Sequence, residues 1–371
     1  MARPISISAR FARMPWSAVM VMTLLCCLGF LMLYSAAEGQ LEPWALRQLI
    51  RFVLMFPVML AIAVTPIQFW LRGSYVFYGI VVLLLLAVDV AGTTAGGAQR
   101  WLRVGPLNIQ PSEITKLCVV LVLARYFNGR SYVDIGRPLL LLVPIILVTI
   151  PALFILRQPN LGTTLIICMV SATLFFASGL RWWKIIAVFV CVIAALPLVW
   201  QHMHDYQQRR VLTFIDPERD PLGDGYNIMQ SKIAIGSGGV FGKGLLNGSQ
   251  SQLSFLPEKQ TDFIFTMLTE EFGLIGGFAV ITLFCVLMLY GYYVTYISRS
   301  QFGRLVALGI TSILFFQMFV NIGMVMGLLP IVGVPLPFLS YGGTIMIVIM
   351  LGFGLLLNAH IHSDVALDRE Q

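Results

Sequence analysis

The chain alternates between long apolar runs and short polar connections. The runs are Trp16 to Ala36, Leu46 to Val64, Tyr75 to Ala91, Pro111 to Tyr126, Pro138 to Leu156, Leu161 to Leu180 and Trp183 to Gln201, followed by Phe263 to Ile297, Leu305 to Leu328 and Ser340 to His360. A helix needs roughly 20 residues to cross a hydrocarbon core, so each run predicts a transmembrane helix. The eighth is longer than a bilayer requires, which predicts a tilted helix or one that continues outside the membrane. The first follows Arg3, Arg10 and Arg13 but exceeds the 7 to 15 apolar residues usual in a signal peptide, so it is expected to be a retained helix. The expected fold is an all-α integral membrane protein with about ten transmembrane helices. It forms a single polytopic domain over residues 1–371, with a large extracytoplasmic loop, residues 202–260, between helices 7 and 8.

Charge between the runs sets the orientation. The side shared with the N-terminus carries Arg3, Arg10, Arg13, Arg72, Arg125, Arg130, Arg137, Arg181, Lys184, Arg299, Arg304 and Arg369. The short loops opposite carry mainly Arg47, Arg100, Arg103 and Arg157. By the positive-inside rule both termini are cytoplasmic. The His202 to Gln260 connection is long, rich in both charge signs, and the kind of loop that commonly carries function. Within it, Tyr226 to Ile235 has the spacing of a short interfacial helix. Glycines at 236, 238, 239, 242, 244 and 248 then break it.

Composition narrows the class. The chain is 58% hydrophobic and 11% charged, against roughly 25% charged residues in soluble domains, which excludes a water-soluble enzyme. The net charge of +7 is spread singly between apolar runs, so it reads as topogenic and predicts no nucleic-acid partner. The cysteines lie inside apolar runs without metal-ligand spacing, so neither a disulfide framework nor a zinc site is expected.

An ionisable residue at membrane depth is costly and therefore a functional candidate. Asp89, Glu113, Lys116, Asp262, Glu270 and Glu271 meet that test, with Lys232 and Arg100 in the outer loops. Asp262 stands where the long loop re-enters the bilayer. At about 100° per residue, Thr266 and Thr269 fall near its face and Glu270 within about 80°, a polar stripe running inward. Both a helix cap and a catalytic base are open to it. Glu113 and Lys116, one turn apart, suit an ion pair more than direct substrate contact. Arg100 suits an interfacial anchor or a phosphate ligand equally, and Asp89 a structural role. The stretch from Pro330 to Pro337 followed by Ser340 to Gly343 cannot be continuous helix, so it forms either a pocket wall or a re-entrant turn. The glycine-rich segment after Ile235 is a weak phosphate-cradle signal because it lacks the Walker pattern.

These segments resemble the SEDS family of membrane glycosyltransferases. The similarity is carried by GAQRW (97–101), QPSEITK (110–116), QPNLGT (158–163), DPLGDGYNIMQSKIAIGSGG (220–239), QSQLSFLPEKQTDFIF (250–265) and NIGMVMGLLPIVGVPLPFLSYGG (321–343). QSKIAIGSGG, and QSQL before FLPE, resemble the RodA branch more than the FtsW branch. The resemblance implies a ten-helix peptidoglycan glycosyltransferase of the bacterial inner membrane that polymerises lipid II for cell elongation and rod shape. It implies Asp262 at the essential aspartate, a divalent cation (Mg2+ or Mn2+), a class B penicillin-binding protein as partner, and other elongation-complex membrane proteins. One departure is Asn160, where the family usually has Asp; an amide keeps the shape but cannot act as a base.

The expected chemistry needs a base at the outer interface, positive charge on the leaving diphosphate, and apolar grooves for lipid tails. Asp262 is the candidate base; Lys116, Lys232, Arg210 and Arg100 are candidates for the diphosphate, with Glu113 orienting Lys116. Two rival readings are a lipid II flippase, for which Glu270 and Glu271 are the best argument, and a non-catalytic scaffold.

Overall fold

The computed structural model describes residues 6–95, 98–104, 107–130, 138–184, 186–187, 190, 194, 200–201, 208, 212–216, 223–249 and 258–367. In chain order the elements are α1 (Ile7–Ala12), α2 (Trp16–Ala36), α3 (Ala45–Val64), α4 (Ile67–Ala91), β1 (Thr93–Ala95), β2 (Ala98–Val104), β3 (Leu107–Ile109), α5 (Pro111–Phe127), α6 (Pro138–Arg157) and α7 (Leu161–Ala177). They continue with α8 (Asp224–Ser237), α9 (Ile264–Ile297), α10 (Gln301–Val325) and α11 (Gly343–Ile361).

Seven of these are long and apolar enough to cross a membrane: α2, α3, α4, α6, α9, α10 and α11; α7 is a shorter apolar helix. They fall on the expected runs because a chain in lipid must satisfy every backbone group within itself, and a helix does so locally. Pro57 in α3 and Pro144 and Pro151 in α6 are accommodated inside helices. The seventh expected span, Trp183 to Gln201, lies largely outside the described residues, as does much of the 202–260 connection.

Three differences from the sequence reading have physical causes. First, α4 starts at Ile67 rather than Tyr75, since backbone hydrogen bonding continues through Arg72, whose side chain is exposed. Second, the fold is not wholly helical. The connection between α4 and α5 is a three-stranded antiparallel sheet in the order β1-β2-β3, pairing Thr93 with Trp101 and Leu102 with Ile109. Such short pairings satisfy the loop backbone without an apolar run to announce them.

Third, α9 is broken. Gly273 has φ 66° and ψ −162°, a conformation open to glycine and costly for other residues. The glycine-rich segment after α8 repairs the break. Lys243 N–H donates to Glu270 O at 3.1 Å and Gly244 N–H to Glu271 O at 2.9 Å. Leu274 N–H donates to Gly239 O at 2.9 Å and Ile275 N–H to Val240 O at 3.2 Å. These amides complete the fold and form no phosphate cradle. The residues beyond the break, 274 to 297, are by themselves long enough for a crossing at about 1.5 Å each.

α8 extends the expected interfacial helix by two residues at each end. Its buried Ile228, Ser231 and Ala234 face the bundle while Met229 and Ile233 are exposed. Ser231 Oγ meets Thr266 Oγ1 at 2.6 Å and donates to Val325 O at 2.8 Å, seating α8 on α9 and α10. The polar stripe below Asp262 is thus a packing seam: Thr269 Oγ1 donates to Phe265 O and Thr266 O in its own helix.

Candidate active site

The site forms where the turn before α9 meets the non-helical chain between α10 and α11. Asp262 is half-buried. The N-cap of α9 is Phe263, so neither Asp262 nor Thr261 is the cap residue. Three hydrogen bonds reach this turn, and two more brace the groups that make them. Ser340 Oγ donates to Thr261 O at 2.6 Å, and Tyr341 N–H donates to Gln260 O at 2.8 Å. Asn321 Nδ2 donates both to Asp262 O at 2.9 Å and to Val334 O at 2.7 Å. Gln48 of α3 donates Nε2 to Ser340 O at 3.1 Å. Opposite the carboxylate is Gly333, with φ 66°; a Cβ there would lie 3.5 Å from Asp262 Oδ2.

Around Asp262 is a cavity of about 330 Å³ lined by Arg100, Trp101, Gln110, Glu113, Asn160, Thr163, Glu258, Thr261, Gly333, Pro335 and residues 341–345. The Pro330 to Gly343 stretch is therefore a pocket wall. Thr344 joins two of the walls: its hydroxyl accepts from Gln110 N–H at 3.1 Å and donates to Asn108 O at 3.1 Å.

The residues singled out from sequence distribute unevenly over this cavity. Glu113 lines it, and Lys116 Nζ is 2.8 Å from Glu113 Oε2 with both side chains buried. Lys116 is thus the counter-charge behind the wall and does not line the cavity. Arg100 lines it and also fastens the turn ahead of α7: Nε donates to Gln158 O at 2.9 Å and Nη2 to Pro159 O. Asn160 caps α7, accepting from Thr163 N–H at 3.3 Å, and donates to Ser112 Oγ at 3.3 Å. Lys232 is exposed on α8, where its Cε would be 2.2 Å from a Cβ at Gly327, and it does not line the cavity. Arg210 lies outside the described residues. Asp89 accepts from Gln158 Nε2 at 3.3 Å, a structural tie.

Glu270 and Glu271 belong to the broken part of α9. Lys243 Nζ pairs with Glu270 Oε1 at 2.8 Å, and Ser35 Oγ donates to Glu271 Oε1. Ser35 is in the last turn of α2, so these carboxylates sit near the helix ends and not midway through the bundle. Nearby Lys259 is buried; burial draws its ammonium below the ordinary lysine value, and Glu38 acts against that shift.

Sequence reasoning missed Arg51, Glu258 and Tyr341. Arg51 had a legible signal, an arginine inside the Leu46 to Val64 run. Glu258 and Tyr341 lay inside the quoted motifs, Tyr341 also in the stretch expected to form a pocket wall or turn, but neither stood out as a site residue because the chain ties that place them are long-range.

No group of three His, Cys, Asp or Glu among the described residues can hold a metal ion. Glu113, Glu258 and Asp262 are the carboxylates that border the cavity, and no step below runs through a cation.

The family model FTSW_RODA_SPOVE, described as cell cycle protein, matches residues 15–365. The chain belongs to this family, the SEDS proteins. Peptidoglycan glycosyltransferase MrdB of Escherichia coli strain K12, a RodA protein, is 44% identical over 349 residues, covering 92% of this chain and 93% of that one. A probable peptidoglycan glycosyltransferase FtsW of Idiomarina loihiensis is 36% identical over 90% of this chain and 83% of its own. This SEDS protein is thus closer to RodA than to FtsW, as its motif forms implied. A solved chain described under structural coordination of polymerization and crosslinking by a peptidoglycan synthase complex superposes with a TM-score of 0.81 at 29% identity. That match covers 94% of this chain and 97% of the other, so the mostly helical membrane fold is shared nearly end to end.

Proposed function

We infer that this SEDS protein is a peptidoglycan glycosyltransferase that polymerises lipid II into glycan strands for cell elongation, with Asp262 as its general base. One observation carries the assignment: the Asp262 carboxylate faces a polar cavity of about 330 Å³ at one end of an apolar bundle. A carboxylate beside an open polar volume can take a proton from a bound hydroxyl. The acceptor sugar hydroxyl attacks the anomeric carbon of the donor, the carbon–oxygen bond to the lipid diphosphate breaks with inversion, and the hydroxyl proton passes to Asp262. Arg100 faces the diphosphate, while the Glu113–Lys116 pair keeps the wall rigid and neutral.

The polyprenyl tail needs an apolar seat. A groove of about 280 Å³ lies between α3, α4, α5 and α11, lined by Ile62, Trp70, Phe77, Leu84, Ile114 and Leu351 among others. Ile114 adjoins Glu113 of the polar cavity, so headgroup and tail can be held together. Both termini on the cytoplasmic side of the bacterial inner membrane would put the cavity on the outer side, where the wall is made. The related synthase complex couples polymerization to crosslinking, which supports a class B penicillin-binding protein as partner.

The flippase reading loses its best argument, since Glu270 and Glu271 are held by Lys243 and Ser35. The test is purified protein with its penicillin-binding partner and lipid II. Asp262→Ala should abolish polymer while complex formation survives. Wild-type polymer from that variant would remove the base assignment and favour a scaffold.

A further inference from the structure

The cavity that would receive a diphosphate is poor in available positive charge. Glu113, Glu258 and Asp262 line it, against Arg100. Arg100 spends Nε and Nη2 on the carbonyls of Gln158 and Pro159, and Lys116 is engaged by Glu113. Arg51 lies against Tyr341 and Gly343 of the cavity lining, without a carboxylate. Its guanidinium carbon is 5.0 Å from the centre of the Tyr341 ring and 3.4 Å from where a Cβ at Gly343 would be. Its hydrogen bonds, to Gln48 Oε1 and Tyr341 Oη, are both 3.4 Å, long for such donors, and no ion pair holds it among the described residues. Gln48, one turn away on α3, fixes the same 340–342 segment by donating to Ser340 O and accepting from Gly342 N–H. The helix therefore delivers a rigid backbone and one lightly engaged guanidinium to the cavity wall.

We propose that Arg51 binds the diphosphate of the lipid-linked substrate at the α3 rim of the pocket, opposite the role of Asp262. This rests on the glycosyltransferase reading. When the anomeric carbon–oxygen bond breaks, its electron pair leaves on the diphosphate, which gains negative charge as Asp262 gains the proton. A planar guanidinium matches two phosphate oxygens at once and is well suited to that change.

The test compares binding of undecaprenyl diphosphate and of uncharged undecaprenol to the purified full chain in detergent. Arg51→Gln should weaken the diphosphate about tenfold and leave undecaprenol unchanged. Arg51→Lys keeps charge and stem but loses the fork, and should weaken the diphosphate about threefold. Equal loss for both lipids would make Arg51 a structural residue and overturn the proposal, as would wild-type diphosphate binding in Arg51→Gln. Should that variant not fold, wild-type diphosphate binding by Arg51→Lys overturns it. Polymerisation is scored separately: a wild-type chain that makes no polymer with its partner refutes the glycosyltransferase reading, while the binding comparison still decides Arg51.

Discussion

Two regions of the bundle bury carboxylates close to one another in sequence, and they differ in what the carboxylates face. At the break in α9, Glu270 and Glu271 are fully buried and meet Lys243 and Ser35. Ahead of the same helix, half-buried Asp262 borders an open cavity. The first arrangement spends charge on holding the chain together; the second leaves it beside a volume that a substrate can fill. Burial of an acid within a membrane bundle is thus no guide to chemistry until its partners are known.

The sharpest way to break this contrast is to remove one charge from each region. Asp262→Asn should cut lipid II polymerisation by at least about a hundredfold while leaving the melting temperature within a few degrees. Equal losses of activity and stability would place Asp262 with the structural acids. Lys243→Met should do the reverse, leaving Glu270 buried without its counter-charge. We expect a loss of about 3 kcal/mol of stability, read by thermal unfolding in detergent, with turnover per folded molecule largely kept. A variant as stable as wild type would show that the pair contributes nothing.

Gly273→Ala sharpens the same side. Its Cβ would fall 2.5 Å from Val240 O and 2.4 Å from Gly242 N, at a backbone conformation that alone costs about 1 to 3 kcal/mol for a residue with a side chain. Hydrogen exchange should rise at Lys243, Gly244, Leu274 and Ile275 together; unchanged protection would mean the segment is held elsewhere. The smallest effect is expected at Asn160→Asp. A carboxylate there can still accept hydrogen bonds from Thr163 N–H and from the Ser112 hydroxyl, so stability should change by less than about 1 kcal/mol. A larger loss in unfolding measurements would show that the amide donor to Ser112 is needed.

Much of the bundle could be read from the chain because lipid allows few solutions. α2 spans Trp16–Ala36, the limits of its apolar run, since hydrocarbon thickness and helix rise leave little choice. The sheet at residues 93–109 escaped notice because strands of three and seven residues make too short a pattern. The break at Gly273 escaped because a glycine inside an apolar run is ordinary, and its cause is a segment some thirty residues earlier. For the site, the position of Asp262 at the re-entry of the long loop was legible. Its surroundings were not, because Gln48, Asn321 and Ser340 reach it through contacts that no local pattern records. Lys232 looked equivalent to Arg100 as a loop cation, yet only Arg100 arrives at the cavity.

The bond from Gln48 to Ser340 joins positions 292 residues apart. During synthesis, a chain that has released only its earlier helices into the bilayer therefore has the acid but not the enclosure around it. The wall is complete only with the final helix in place, since residues 341–345 form part of it.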